Sequence, residues 1–342
     1  MGSASVHTYN YLQLVKSFFD DIVLVTSSET DFTDDKLVRK YVVNTSLRNP
    51  LRYFRAISRF RAILKKESPD VVHVQQIVTY CLLLLKANSR MKIPVVSTAW
   101  GSDILVNPQK SWIHAKMVRY CIAKSDYLTA DAQFIADEMA RLSPTNKSVV
   151  VANFGIDIPD SLPETKEKIV YSNRLHNPLY RIDAVIRAFS RFLHTDKGRD
   201  WTLVVAATGS ETEDLKALVD ELQIQQAVKF VGWVDKGTNQ QWYSRAMIWI
   251  SLPESDATAI SMLEAMGNGC IPVVSDLPAT REWITDGDNG LLISDVQNCD
   301  LSQALALDYS SSSAKNRAIV EQKATKQVNK EKFLQIYRKI CQ

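Results

Sequence analysis

The apolar positions of this chain follow two rhythms. Short runs rich in apolar residues recur at 22–26, 69–74, from Val95, 126–129, 149–151, 169–175, 201–206, 228–231, 247–252 and 271–275. Runs of this length, bounded by polar or turn residues, predict buried strands. Between them the apolar residues recur at helical spacing. The stretch 8–19 places Tyr11, Leu14, Val15 and Phe18 on one face, and 48–66 places Leu51, Phe54, Ile57, Phe60 and Leu64 on another. Further helices are expected over about 181–192, over 259–266 and in the charged tail from Lys315.

One stretch, 253–275, organises the rest. A buried strand at 247–252 leads into a polar loop in which Ser255 and Asp256 are the N-cap candidates. A short apolar helix follows, Gly267, Asn268 and Gly269 end it, and another strand begins at Ile271. A helix N-terminus at the carboxyl end of a parallel strand is an anion site. Asp256 stands before this helix and Glu264 about two turns later. Two carboxylates so placed can hold sugar hydroxyls while free N–H groups face a phosphate. The alternative is an N-cap aspartate and a solvated glutamate.

The 342 residues suit two domains of ordinary size. Hydrophobic content of 46%, charged content of 23% and a net charge of +3 describe a soluble globular protein with no argument for nucleic acid. The five cysteines are scattered, and neither they nor the five histidines have metal-ligand spacing, so a reducing compartment and no metal are expected. No run approaches transmembrane length, no signal peptide is evident, and Val6 stands where N-myristoylation wants Ser or Thr. The helix 48–66 is rich in Arg and Lys (Arg48, Arg52, Arg55, Arg59, Arg61, Lys65, Lys66). It is either a solvated face or a contact with an anionic membrane surface.

The run Asp256-x7-Glu264-Ala-Met-Gly-Asn-Gly-Cys-Ile-Pro-Val273 resembles the signature of the family 4 glycosyltransferases, with Ser-Asp-(small)-Thr in place of the usual first Glu. The segment 276–292 is similar to the family as well, and the likeness is strongest over about 169–293. It implies an α/β fold of the GT-B type, with two Rossmann-like domains facing across a cleft. The expected boundaries are 1–160 for an acceptor-binding domain, 161–325 for a nucleotide-sugar domain and 326–342 for a helix returning to the first. Asn153-Phe-Gly-Ile-Asp157, Pro159 and Pro163 mark the linker. The segment from Gly2 to Thr8 resembles the family's loop after the first strand, yet no strand precedes it; a truncated start, an absent strand or a cloning remnant are all open.

The resemblance also implies roles. Arg174 and Arg181, with Gly2, Ser3 and the amides of Ala259 and Ile260, would hold the donor diphosphate. Asp256, Ser261 and Glu264 would hold the transferred sugar and ribose. Gly232, Trp233 and Val234 would hold the base. Asp103, in Gly-Ser-Asp, either acts at the acceptor or caps its helix, and Trp100 takes the place of a family histidine. Arg181 is otherwise a surface residue at a helix start. The implied activity is metal-independent, retaining transfer of a hexosyl group from a UDP- or GDP-sugar to a glycan, lipid-linked or polysaccharide hydroxyl, in the cytoplasm or at the inner membrane face, with no cofactor. A non-catalytic sugar-nucleotide binder and a GT-B epimerase are the alternatives. Gly267-x-Gly269 follows a helix and precedes a strand, the reverse of a dinucleotide fingerprint. Asp286-Gly-Asp288 is read as a turn with Asn289-Gly290, not a metal pair.

Overall fold

The computed structural model describes residues 1–45, 50–162 and 165–341. The chain divides into two compact units, Met1–Gly155 with Lys326–Gln342, and Ile156–Thr325. Each is built on parallel strands. The first holds β1 (Ile22–Thr26), β2 (Leu37–Val42), β3 (Val72–Gln75), β4 (Val95–Ala99), β5 (Tyr127–Ala130) and β6 (Val149–Val151). The second holds β7 (Glu167–Ser172), β8 (Thr202–Ala206), β9 (Val228–Gly232), β10 (Ala246–Ser251), β11 (Ile271–Ser275) and β12 (Leu291–Ile293). The apolar runs become strands because helices cover both faces, so alternate side chains are buried on either side. All five residues of β4 and of β11 are buried. Neither β2, half exposed and charged at Arg39 and Lys40, nor the three-residue β12 carries that signal, and sequence reading does not find them.

In the second unit the strand order is β12-β11-β10-β7-β8-β9. The chain runs outward from β7 through β8 to β9, then crosses to β10 on the other side. The order reverses between β7 and β10, and ligands of open parallel sheets bind at the carboxyl ends beside such a switch point. One core, around Phe189, Phe192, Leu203 and Ile250, fills one face. Another, around Tyr171, Trp249, Leu263 and Met266, fills the other.

In the first unit the sheet is in two parts, β1-β2 and β3-β4-β5-β6. The residues Met1 and Gly2 run between them, with Gly2 in parallel register with Thr26. Helix α1 covers Val6–Val15 and continues as a single tighter turn, Lys16–Phe18, where one helix over 8–19 was expected. Helix α2 covers Pro50–Glu67; Arg48, expected in it, lies outside the described residues. Its buried stripe is Ala56, Phe60, Ile63 and Leu64, whereas Leu51 and Phe54, expected in the stripe, are 65% and 67% exposed. Helix α3 spans Thr79–Asn88. The C-terminal helix Lys326–Cys341 buries Phe333, Ile336 and Tyr337 in this unit. It is tied down by Lys332 to the Val151 carbonyl at 2.9 Å and by the Tyr337 hydroxyl with His73 at 2.5 Å. Among the described residues no helix is long and apolar enough to cross a membrane.

Candidate active site

The site of the second unit grows from the carboxyl end of β10. Residues 253–259 form an irregular loop, and the helix Ile260–Gly267 begins at N-cap Ala259. Ser255 and Asp256, the sequence candidates, do not cap it; they lie too far upstream, and Ala259 makes no side-chain cap bond. The first-turn N–H groups of a helix have no intrahelical acceptor. This end therefore offers donors and a positive dipole. The other end is closed by the glycine stop. Cys270 N–H bonds the Ala265 carbonyl at 2.9 Å and Gly269 N–H the Met266 carbonyl at 3.0 Å. Gly269 has φ of 78°, a left-handed residue after the C-cap that favours glycine.

Arg174 reaches this helix start from the end of β7. Its guanidinium donates to Ser261 Oγ at 2.8 Å and to Asp256 Oδ2 at 2.6 Å, and it lies over the Tyr180 ring at 4.3 Å. The two charged side chains are only 10% and 18% exposed, so the pair is poorly screened by solvent. Burial pushes the Asp256 carboxyl up, and the Arg174 charge opposes that shift. The sequence assignments Arg174, Asp256, Ser261, Ala259 and Ile260 thus come together at the switch point.

Glu264 sits on the same helix, one turn beyond Ile260. Its carboxylate accepts from the Tyr243 hydroxyl at 3.0 Å. Tyr243 is 1% exposed, and burial followed by the Glu264 charge pushes its pKa well up, so it stays a donor. Behind it Asn173 donates to Tyr243 Oη at 2.7 Å and to Asn239 at 3.0 Å, and accepts from the Trp249 indole at 2.9 Å. This bracing set fixes where Glu264 and Arg174 stand. Sequence reading passes over it; the one available signal is Asn173, next to Arg174 at a strand end.

Other assigned residues are placed differently. Arg181 has φ of 47° and donates to the Leu252 carbonyl at 2.7 Å and the Pro253 carbonyl at 2.6 Å. Its guanidinium braces the exit of β10, and Ser275 Oγ also bonds Pro253, at 2.8 Å. Gly232 ends β9 with φ of 68°, where an L side chain is strained. Trp233 is 73% exposed and Val234 packs on the core. The segment after Trp283 forms the expected turn, with Gly287 N–H on the Gly290 carbonyl at 3.0 Å and Leu292 N–H on Asp286 Oδ1 at 2.9 Å.

Gly2, Ser3 and Asp103 belong to the first unit. A Cβ on Gly2 would stand 2.6 Å from Thr8 Oγ1 and 3.1 Å from Gln75 Cβ, so only glycine fits. Ser3 shares a hydrogen bond with Ser5 at 2.9 Å ahead of α1. Asp103 requires a correction. It is fully buried, with Oδ1 accepting from the Trp100 and Gly101 amides at 3.0 and 2.9 Å and Oδ2 from the Ile77 amide at 2.8 Å. Both oxygens are committed to backbone, so Asp103 ties together the loops after β3 and β4 and is not a catalytic group in this structure. A group that sequence reading missed is Asp131, at the end of β5. It accepts from the Tyr11 hydroxyl at 2.5 Å, and burial pushes its carboxyl up to about 8.

Residues 156–327 match the family of glycosyl transferases group 1, and residues 2–132 match the glycosyl transferase 4-like family. The chain belongs to glycosyl transferases group 1. It is 24% identical over 264 residues to alpha-monoglucosyldiacylglycerol synthase of Streptococcus pneumoniae, covering 70% of this chain and 59% of that one. The chain thus spans about three-fifths of that relative's length. Its fold is similar to a lipopolysaccharide outer core galactosyltransferase in apo form (TM-score 0.75, 18% identity, 99% and 100% of the two chains). It is also similar to Anabaena HepE in complex with UDP (TM-score 0.82, 13% identity, 99% and 98%). These neighbours are GT-B glycosyltransferases, and this chain shares their parallel-sheet α/β fold.

Proposed function

We propose that this glycosyltransferase takes a nucleotide-diphosphate sugar as donor and passes the sugar, with retention, to a hydroxyl of a glycan or lipid-linked acceptor. The observation that carries the reading is the cluster of Arg174, Ser261 and Asp256 at the open N-terminus of the helix Ile260–Gly267. Arg174 and the helix amides face the diphosphate, neutralising the leaving charge by fixed donors. On this reading no metal is needed. Asp256 orients the transferred sugar and offsets positive charge developing at its ring. Glu264, held by Tyr243, takes the ribose hydroxyls, and the loop Gly232–Val234 takes the base. Arg181 acts indirectly, by holding the loop that carries Asp256. The UDP bound to the structural neighbour HepE and the lipid product in the name of the pneumococcal relative support a UDP-sugar and a lipid-linked or glycan acceptor.

A thermal-shift screen of UDP- and GDP-sugars tests the donor, since a ligand that binds only the folded state raises stability. One family of nucleotide sugars should raise the melting temperature, also in EDTA. Arg174→Ala should weaken that binding by about 1.5–3 kcal/mol, the worth of a charge-assisted contact. Equal dissociation constants for the two proteins would remove the phosphate-facing role. Sugar transfer to a lipid or glycan acceptor then separates an enzyme from a binding protein.

A second reading concerns the same chain's location. Helix α2 exposes Leu51 and Phe54 beside Arg52, Arg55 and Arg59, an apolar tip within a basic surface. Such a face fits an anionic membrane surface.

A further inference from the structure

A second hollow opens in the unit that carries the Arg174 cluster, toward the β12 edge of its sheet. It lies at the carboxyl ends of β11 and β12, against Arg181 at the start of the helix Ile182–Leu193, and its volume is about 300 Å³. That size is at the lower end of small-molecule sites and suits a single ring. Its described lining includes none of Arg174, Asp256, Ser261 and Glu264. The two places are joined through the exit of β10. Arg181 and Ser275, which line the hollow, both donate to the Pro253 carbonyl, at 2.6 and 2.8 Å.

The groups already engaged decide what the hollow can take. Asp276 accepts from Arg281 at 2.5 and 2.8 Å and from the Ser294 hydroxyl at 3.0 Å. Asp295 accepts from the Gln297 amide at 3.1 Å and from Asn298 at 2.8 Å. Every carboxylate oxygen therefore has a donor, and an ammonium ligand finds no open partner. Arg181 and Arg281 together balance Asp276 and Asp295, so no net charge is left to draw an anion. Two groups stay open to a ligand. Arg181 Nη1 and the Gln297 carboxamide make no hydrogen bond among the described residues. Both donate, and the carboxamide also accepts. The rest of the lining is aliphatic, with Leu277, Ile293 and Val296, and its described residues include no aromatic ring on which a base could stack.

We propose that this hollow is a second sugar subsite, which takes one neutral hexose ring. Its hydroxyls meet Arg181 Nη1 and Gln297, and its C–H face lies on Leu277, Ile293 and Val296. A sugar hydroxyl needs a partner that donates or accepts without a net charge, and those are the groups left open. This ring is distinct from the sugar that Asp256 orients, and the subsite stands whether or not the donor reading does. The same ring chemistry comes from a free sugar or from a residue of a glycan chain.

The test is saturation-transfer NMR on the full chain with the methyl α-glycosides of glucose, galactose and mannose, each titrated alone. At least one should bind. Gln297 is exposed and its side chain holds nothing in the protein, so Gln297→Leu keeps the fold. It should weaken that hexoside by about fivefold or more, the loss of one hydrogen-bonding partner. Asp256→Asn, which alters the donor cluster, should leave the hexoside's dissociation constant unchanged. Tighter binding of the matching α-linked disaccharide assigns the subsite to a glycan chain, and equal binding assigns it to a free sugar. Binding of none of the three hexosides, equal binding by Gln297→Leu, or a loss in Asp256→Asn instead would overturn the proposal.

Discussion

Asp256 and Glu264 stand on one short helix, but their surroundings differ. Asp256 shares Arg174 and is pushed toward protonation by burial, whereas Glu264 is held by a phenol that cannot ionise in the working range. Glu264→Gln should therefore weaken the bare nucleoside diphosphate and the full donor alike, a change read mainly in KM. On the proposed reading, in which its charge acts on the transferred sugar, Asp256→Asn should leave diphosphate binding nearly intact and lower kcat. Full turnover in Asp256→Asn, with an identified donor and acceptor, would end that assignment. The first unit offers a pH prediction at Asp131. Its carboxyl is raised to about 8 in the fold from an ordinary value near 3.8. Between those values the native state holds the extra proton, so stability falls as pH rises from about 4 to 8. Asp131→Asn mimics the protonated form. Its stability relative to the parent should grow over that interval and level off above it, as urea unfolding at several pH values would show.

At the scale of elements, the helix Ile260–Gly267 depends on how it stops. Gly269 combines left-handed backbone with a close neighbour, since an added Cβ would stand 2.5 Å from Ser313 Oγ and 3.0 Å from a Leu162 methyl. Gly269→Ala should cost about 1–3 kcal/mol of stability in denaturant unfolding. An unchanged midpoint would mean that the neighbouring segments yield freely. The glycine stop and the long strands were legible in the sequence because turn chemistry and unbroken apolar runs are local signals. That Arg174, Asp256 and Ser261 gather at the start of the helix that carries Glu264 was legible in part, because the motif spacing and a strand end located them. What was not legible depends on distant partners. Asp103 reads as an acceptor-site carboxylate until the amides of Ile77, Trp100 and Gly101 are seen to occupy it. Arg181 reads as a phosphate ligand, and its Nε and Nη2 turn out to donate to two loop carbonyls that no spacing rule announces. Asn173 and Tyr243 join across the fold, and no spacing rule links them.

At the scale of the whole molecule, the charge is unevenly used. The net charge is only +3, yet α2 carries Arg52, Arg55 and Arg59 close to the exposed Leu51 and Phe54, and Lys65 and Lys66 at its far end. If this surface meets anionic lipid, each basic residue near it contributes about 1 kcal/mol, and salt releases the protein. The protein should pellet with vesicles containing phosphatidylglycerol at low salt and be freed at high salt, and Phe54→Ser should weaken the pelleting at low salt. Equal pelleting with neutral vesicles would instead mark α2 as a solvated face.

The C-terminal helix sets a timetable for synthesis. The first unit is not contiguous, because Lys326–Gln342 belongs to it although all of Ile156–Thr325 is made in between. At about 5–20 residues per second, a ribosome takes roughly 10–30 s to cross that interval. During that time the nascent first unit lacks the side chains of Phe333, Ile336 and Tyr337, and its face around His73 stays open to water and to chaperones. The second unit is contiguous and can complete its own core while still tethered. Ordering of the nascent chain therefore runs against its sequence, with the earlier-made unit finished last, and a ribosome that terminates a few codons early releases a chain whose second unit is whole and whose first is not.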